Sequence, residues 1–224
     1  VYGAAFGEGR RNQNERGTYI GANFFIAPKL TLSGYFDRYR FEWMRFRIDR
    51  PSDGADWNAQ LNYTVNRDVS LYFRYREEHQ ERNPVSDLAG RVNQPALTKR
   101  RSIRFHIDYD LTNNLSLANR IEVSQFDEQN RSLERGFLIY QDVKYSFWED
   151  RIALYGRAVL FDVDDFDARI YTYENDVLYF FSVPALQDQG VRMYAMARMK
   201  FNSKVSFWVR WSRTTFTNRY TVGS

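Results

Sequence analysis

Cysteine is missing from all 224 residues. Its absence excludes disulfides, zinc–thiolate sites and a cysteine nucleophile, and it fits a cell-envelope protein that avoids thiols. Also missing is any run near the roughly 18 consecutive apolar residues that a membrane helix needs. That excludes a helical membrane protein but not a membrane barrel, whose strands alternate lipid-facing and polar residues and look hydrophilic on average. The mean hydropathy here is -0.63. Charge of one sign is lacking too: 32 Lys and Arg stand against 28 Asp and Glu, interspersed along the chain. Without a segregated basic patch, no nucleic-acid binding is expected. A nucleophile motif of the G-x-S-x-G type is absent as well.

What is abundant is alternation. In "RSIRFHIDYDL" (101–111), Ile103, Phe105, Ile107, Tyr109 and Leu111 alternate with Ser102, Arg104, His106, Asp108 and Asp110. The same period of two recurs in 57–65, 69–76, 152–160, 193–201 and 205–212. It predicts half-buried strands, and no helix is predicted. Short turns such as "TVNRDVSL" and "DLTNNLSL", rich in the Asn and Asp that suit tight hairpins, alternate with longer polar connections such as "EEHQERNPVSDLAGRVNQPALTKR" and "FDEQNRSLERG". The strands run about 9 to 13 residues, enough for a tilted strand to cross a bilayer, whereas strands of soluble folds are typically about 5–6. No helix is in view to cover so long a sheet. Aromatics gather near strand ends, at Phe24, Phe25, Tyr35, Phe36, Tyr63, Tyr109, Phe147, Trp148, Phe201 and Phe207, where membrane girdles belong.

The predicted fold is therefore all-β: an antiparallel, up-and-down transmembrane β-barrel of about twelve strands, with short turns on one rim and long loops on the other. Residues 1–224 form one barrel domain. Strands are placed near 2–7, 17–27, 30–41, 55–65, 69–80, 98–111, 115–126, 135–147, 151–163, 191–201 and 205–217. That is an odd number, whereas bacterial single-chain barrels take even ones. Either 170–182 hides further strands, or the chain is a piece of a longer barrel. Leu71, Phe73, Ile103, Phe105, Ile107, Leu117, Leu154, Phe207 and Val209 are expected to face lipid. Arg74, Arg76, Arg104, His106, Asp108, Asp110, Arg120, Glu122, Asp142, Lys144, Arg157, Arg198, Lys200 and Arg210 are expected to line the lumen, with Tyr72, Tyr140, Tyr155, Tyr194 and Trp208 narrowing it.

Several stretches, "GYFDRYRFEWMRFRIDRPSDGADW", "YFRYREEHQERN", "TKRRSIRFHIDY", "GFLIYQDVKYSF" and "RIYTYENDVLYFFSVPALQDQGVRMYAMARMKF", resemble the C-terminal β-barrel region of large envelope proteins of Bacteroidota. Some members of that group carry an N-terminal helix-hairpin-helix module like those of DNA-uptake proteins. Its glycine motifs are absent here, so no DNA-binding role carries over. The resemblance implies the outer membrane of a Gram-negative bacterium and supplies no catalytic residues.

Chemistry candidates are few. His106 with Arg104, Asp108 and Glu122 has the residue types of a hydrolase site, but a solvated lumen network explains it better. His79, in "REEHQER", reads as a solvated strand end. Asp162, Asp164, Asp165 and Asp167 supply hard oxygen ligands, yet they lack the glycine and terminal glutamate of an EF-hand loop; no metal and no cofactor are expected. "RPSDGADW" (50–57) reads as turn chemistry. The expected function is porin-like passage of small solutes or ions through a charged lumen, without catalysis. The alternative is a non-conducting structural or anchoring barrel in a larger envelope complex, and a membrane-embedded hydrolase comes third. The expected partners are outer-membrane lipid, lipopolysaccharide and envelope proteins.

Overall fold

The computed structural model describes residues 14–46, 48–84, 94–129, 131–202 and 204–217. Ten long strands form one antiparallel sheet in sequence order. They are β1 (Glu15–Ala27), β2 (Leu30–Phe41), β3 (Ser52–Thr64), β4 (Val69–Arg82), β5 (Ala96–Thr112), β6 (Leu115–Glu128), β7 (Glu134–Phe147), β8 (Ile152–Val163), β11 (Asp188–Lys200) and β12 (Ser206–Phe216). Between β8 and β11 lie a single 3-10 turn (Phe166–Ala168) and two two-residue strands, β9 (Ile170–Tyr171) and β10 (Ala185–Leu186), which pair with each other. The strand placed at 2–7 lies outside the described residues. Among the described residues β1 and β12 are each paired on one side only, so the sheet is not closed on itself.

The alternation predicted from sequence fixes which way every side chain points, because the register never slips by one residue between neighbours except at two turn-side bulges. One row runs Arg74–Arg104–Glu122–Leu138–Phe161, and the next runs Phe73–Phe105–Ile121–Ile139–Leu160 on the opposite face. The first face is concave. A cavity of about 470 Å³ touches seven adjacent strands from β3 to β11. On a flat sheet those strands would span about 29 Å, at about 4.8 Å per spacing. The rings of His106 on β5 and Tyr140 on β7 also meet, 6.3 Å apart, across the intervening β6.

Three details depart from expectation. The connection from β6 to β7 spans only residues 129–133, so it is not one of the long loops. "RPSDGADW" is not a turn: β3 begins at Ser52, and Gly54 lies where a Cβ would stand 2.3 Å from the Tyr39 ring. Glycine serves there for close packing rather than for turning. Tyr35 is no girdle residue either. It points to the concave face, where its hydroxyl donates to Asp56 at 3.0 Å.

Candidate functional site

The stretch between β8 and β11 folds back over the concave face instead of extending from the rim. Its sequence "IYTYE" (170–174) alternates like a strand, and the even side is buried: Ile170 is 2% exposed, Thr172 and Glu174 0%. Tyr171 and Tyr173 point the other way and are exposed. Ile170 and Leu186 pack on Leu138, Tyr140, Val159 and Phe161 of β7 and β8, with Phe216 of β12 at the margin. A second small cluster joins Ala168 to Phe126 and Val163. This explains why β8 reads "AVLF" (158–161), apolar on both faces: Val159 and Phe161 are covered by the insertion, while Leu160 on the other face is exposed.

Polar groups on six strands, with a glycine on a seventh, hold the same segment. Arg82 of β4 donates to the Asp167 carboxylate at 3.1 and 2.9 Å. Arg100 of β5 donates to the Asp167 carbonyl at 2.6 Å. From β6, the Ser124 hydroxyl donates to the Ala168 carbonyl (2.5 Å) and Arg120 to the Tyr171 carbonyl (3.3 Å). On β7, Gly136 leaves room for the turn: a Cβ there would lie 2.9 Å from the Ala168 carbonyl oxygen. Arg157 of β8 donates to the Tyr173 carbonyl at 2.6 Å. Arg192 of β11 grips Glu174 with two bonds of 2.6 and 2.8 Å, and Arg210 of β12 donates to the same carboxylate. Irregular backbone buried against a sheet must find partners for its carbonyls, and here arginines supply them.

The residues singled out from sequence fall on two faces. Leu71, Phe73, Ile103, Phe105, Ile107, Leu117, Leu154, Phe207 and Val209 lie on the convex face. Arg74, Arg76, Arg104, His106, Asp108, Asp110, Arg120, Glu122, Asp142, Lys144, Arg157, Arg198, Lys200 and Arg210 lie on the concave face. Arg76 pairs with Asp56, Arg104 and Arg120 share Glu122, and Arg157 pairs with Asp142. His106 faces Asp108 at 3.0 Å. Asp108, Asp110, Asp142 and Lys144 line the 470 Å³ cavity, whose wall on the insertion side is Asn175, hydrogen-bonded to Tyr194. That cavity lies at the short-turn end, and the insertion occupies the loop end.

The four aspartates of "FDVDDFDAR" do not converge. Asp162 accepts from Gln189, Asp164 from the Arg135 amide, Asp165 from the Phe166 amide and Asp167 from Arg82. His79 is not simply solvated. It meets Glu77 at 2.7 Å and the Trp57 ring at 4.7 Å on the convex face, where Glu77 also binds Arg101 and Tyr75. This charged knot ends the apolar band of β4 on its loop side. Sequence reasoning named Asp167 only as one of four possible oxygen ligands, and it missed Glu174, Arg82, Arg100 and Arg192. The strand-like alternation of 170–174 was the one available signal for them. No protein-family model matches the chain, and no curated protein matches it.

Proposed function

We propose that this chain forms the wall of an outer-membrane β-barrel whose lumen is blocked on the loop side by its own residues 164–187. Its role is to anchor and present loops within the envelope rather than to conduct. The observation that carries this reading is the insertion itself, gripped by arginines from β4 to β12 and buried at Ile170, Thr172 and Glu174.

The membrane half of the reading rests on the convex face. Phe24, Phe73, Ile103, Leu160, Val209 and Trp211 are all exposed there, in a band that crosses all ten strands. A protein whose convex face meets water rarely presents so wide an apolar surface. The band is also slanted. Its loop-side edge is Ile20 on β1 and Trp211 on β12. Followed across the sheet, these two rows meet β4 at Glu77 and at Val69, eight residues apart. Eight residues is about 26 Å over nine spacings of about 4.8 Å, a slope of about 30°, close to the roughly 35–45° tilt of barrel strands. Among the described residues the long strands number ten, an even count, and β1 and β12 run in opposite directions, as antiparallel closure requires. Outer-leaflet lipid and lipopolysaccharide would then surround the band, and envelope proteins would meet the loops.

Porin-like passage is the second reading, favoured by the 470 Å³ cavity at the short-turn end. Single-channel recording in planar bilayers separates the two. Silence from inserted wild-type protein, with ohmic steps from an Asp167→Ala/Glu174→Ala variant that frees the insertion, is the expected result. Ohmic steps from the wild type would instead establish passage.

A further inference from the structure

Most guanidinium groups on the concave face have a carboxylate partner, in one case shared by two. Arg76 has Asp56, Arg82 has Asp167, Arg157 has Asp142, and Arg192 and Arg210 have Glu174. The patch on β4–β6 is different. Arg74 stands directly opposite Arg104, and Arg104 opposite Glu122; in the next row His106 stands opposite Arg120. Arg104 takes both Glu122 oxygens at 2.9 Å, and Arg120 binds the same carboxylate. That leaves Arg74 with no carboxylate within ion-pair distance among the described residues, and its buried Nε has no acceptor. The buried Nδ1 of His106 has no partner either; its Nε2 faces Asp108 at 3.0 Å, so Nδ1 donates only in the doubly protonated ring. Like charges directly opposite on one face repel, and a desolvated donor without an acceptor is costly.

We propose that Arg74, Arg104 and Arg120, with His106 beside them, bind a small oxyanion, the phosphate or carboxylate group of a solute. Three guanidiniums around one carboxylate leave an excess of positive charge and spare N–H groups. The planar guanidinium fork matches the spacing of oxyanion oxygens. The stacked Tyr72 and His106 rings, 5.0 Å apart, stiffen the floor of the site. All these side chains rise from paired strands, which hold a binding geometry better than loops do.

The site needs the concave face and not a bilayer, so it is tested on folded protein in detergent, apart from conductance. The experiment is calorimetric titration at low ionic strength with inorganic phosphate, succinate or chloride. Saturable binding of phosphate or succinate is expected, and whichever binds more tightly names the group the solute carries. Arg74→Gln removes a repulsive charge and should fold; it should weaken binding about tenfold or more, the value of one charge-assisted hydrogen bond. Arg74→Lys, which keeps the charge but not the fork, should fall between. Arg213→Gln, on the convex face, should bind like wild type. Binding that is absent from the wild type, unchanged in Arg74→Gln, or equally strong for chloride would overturn the assignment.

Discussion

Two carboxylates tie the insertion down, and they differ in exposure. Glu174 is fully buried between Arg192 and Arg210. Removing one partner of such a pair leaves uncompensated charge and typically costs about 3–5 kcal/mol. Asp167 lies nearer the rim, outside the long strands, and is partly exposed. The hydrogen bond from Arg82 holds its carboxyl below the usual aspartate range, and Arg131 adds to the effect. A folded-state pKa below the unfolded one makes its contribution to stability fully present above the ordinary carboxyl range, about pH 4. That contribution fades as pH falls through the depressed folded value. Cleavage of residues 164–187 by an acid-active protease should therefore accelerate as pH drops from about 4 toward 2. In Asp167→Asn the cleavage rate should already be high at pH 4 and nearly flat below it. An identical pH profile in the two proteins would remove Asp167 as the acid-sensitive tie.

At the scale of elements, the insertion seats on β7 because Gly136 has no side chain. A Cβ at that position would stand 2.4 Å from the Ser124 hydroxyl and 2.9 Å from the Ala168 carbonyl oxygen. The hydroxyl can rotate away, but the carbonyl belongs to backbone already fixed by Ser124 itself. Gly136→Ala should therefore unseat the 3-10 turn and leave the ten strands intact. The expected readout is faster proteolysis between residues 164 and 187 with an unchanged strand signal in circular dichroism. The same contrast marks what was legible in the sequence. Strands announce themselves by period two, because a face in one medium and a face in another leave a residue-by-residue imprint. Arg104, His106 and Asp108 were placed on one face by that rule alone. The insertion left a weaker imprint. Glu174 has the polar side chain of a loop, and only the distant Arg192 and Arg210 make it a buried residue. Likewise Asp53 and Gly54 carry the local signature of a turn, while the Tyr39 ring that calls for a glycine comes from β2. Local chemistry is readable from a sequence, and partners supplied by other elements are not.

For the whole molecule, the question is which medium meets the convex face. Hydropathy averages cannot answer it, since a half-apolar strand has the same composition whichever side is wet. A single charge can. Phe73 sits on β4 between Leu71 and Tyr75, within the apolar band, and is 46% exposed. If water meets that face, Phe73→Arg replaces one surface residue with another, and such changes usually stay within about 0.5 kcal/mol. If lipid meets it, an arginine near the bilayer midplane costs about 2–4 kcal/mol. Denaturant unfolding of protein folded into phospholipid vesicles should show the larger loss. An equivalent change at Arg16, beyond the loop-side edge of the band on β1, should show almost none; Arg16→Leu is a suitable companion. The pair also tests the slant. Arg16 and Leu32 lie on neighbouring strands of one face, yet only Leu32 is within the band. Leu32→Arg should therefore be costly where Arg16→Leu is not, and equal small effects at all three positions would place the convex face in water.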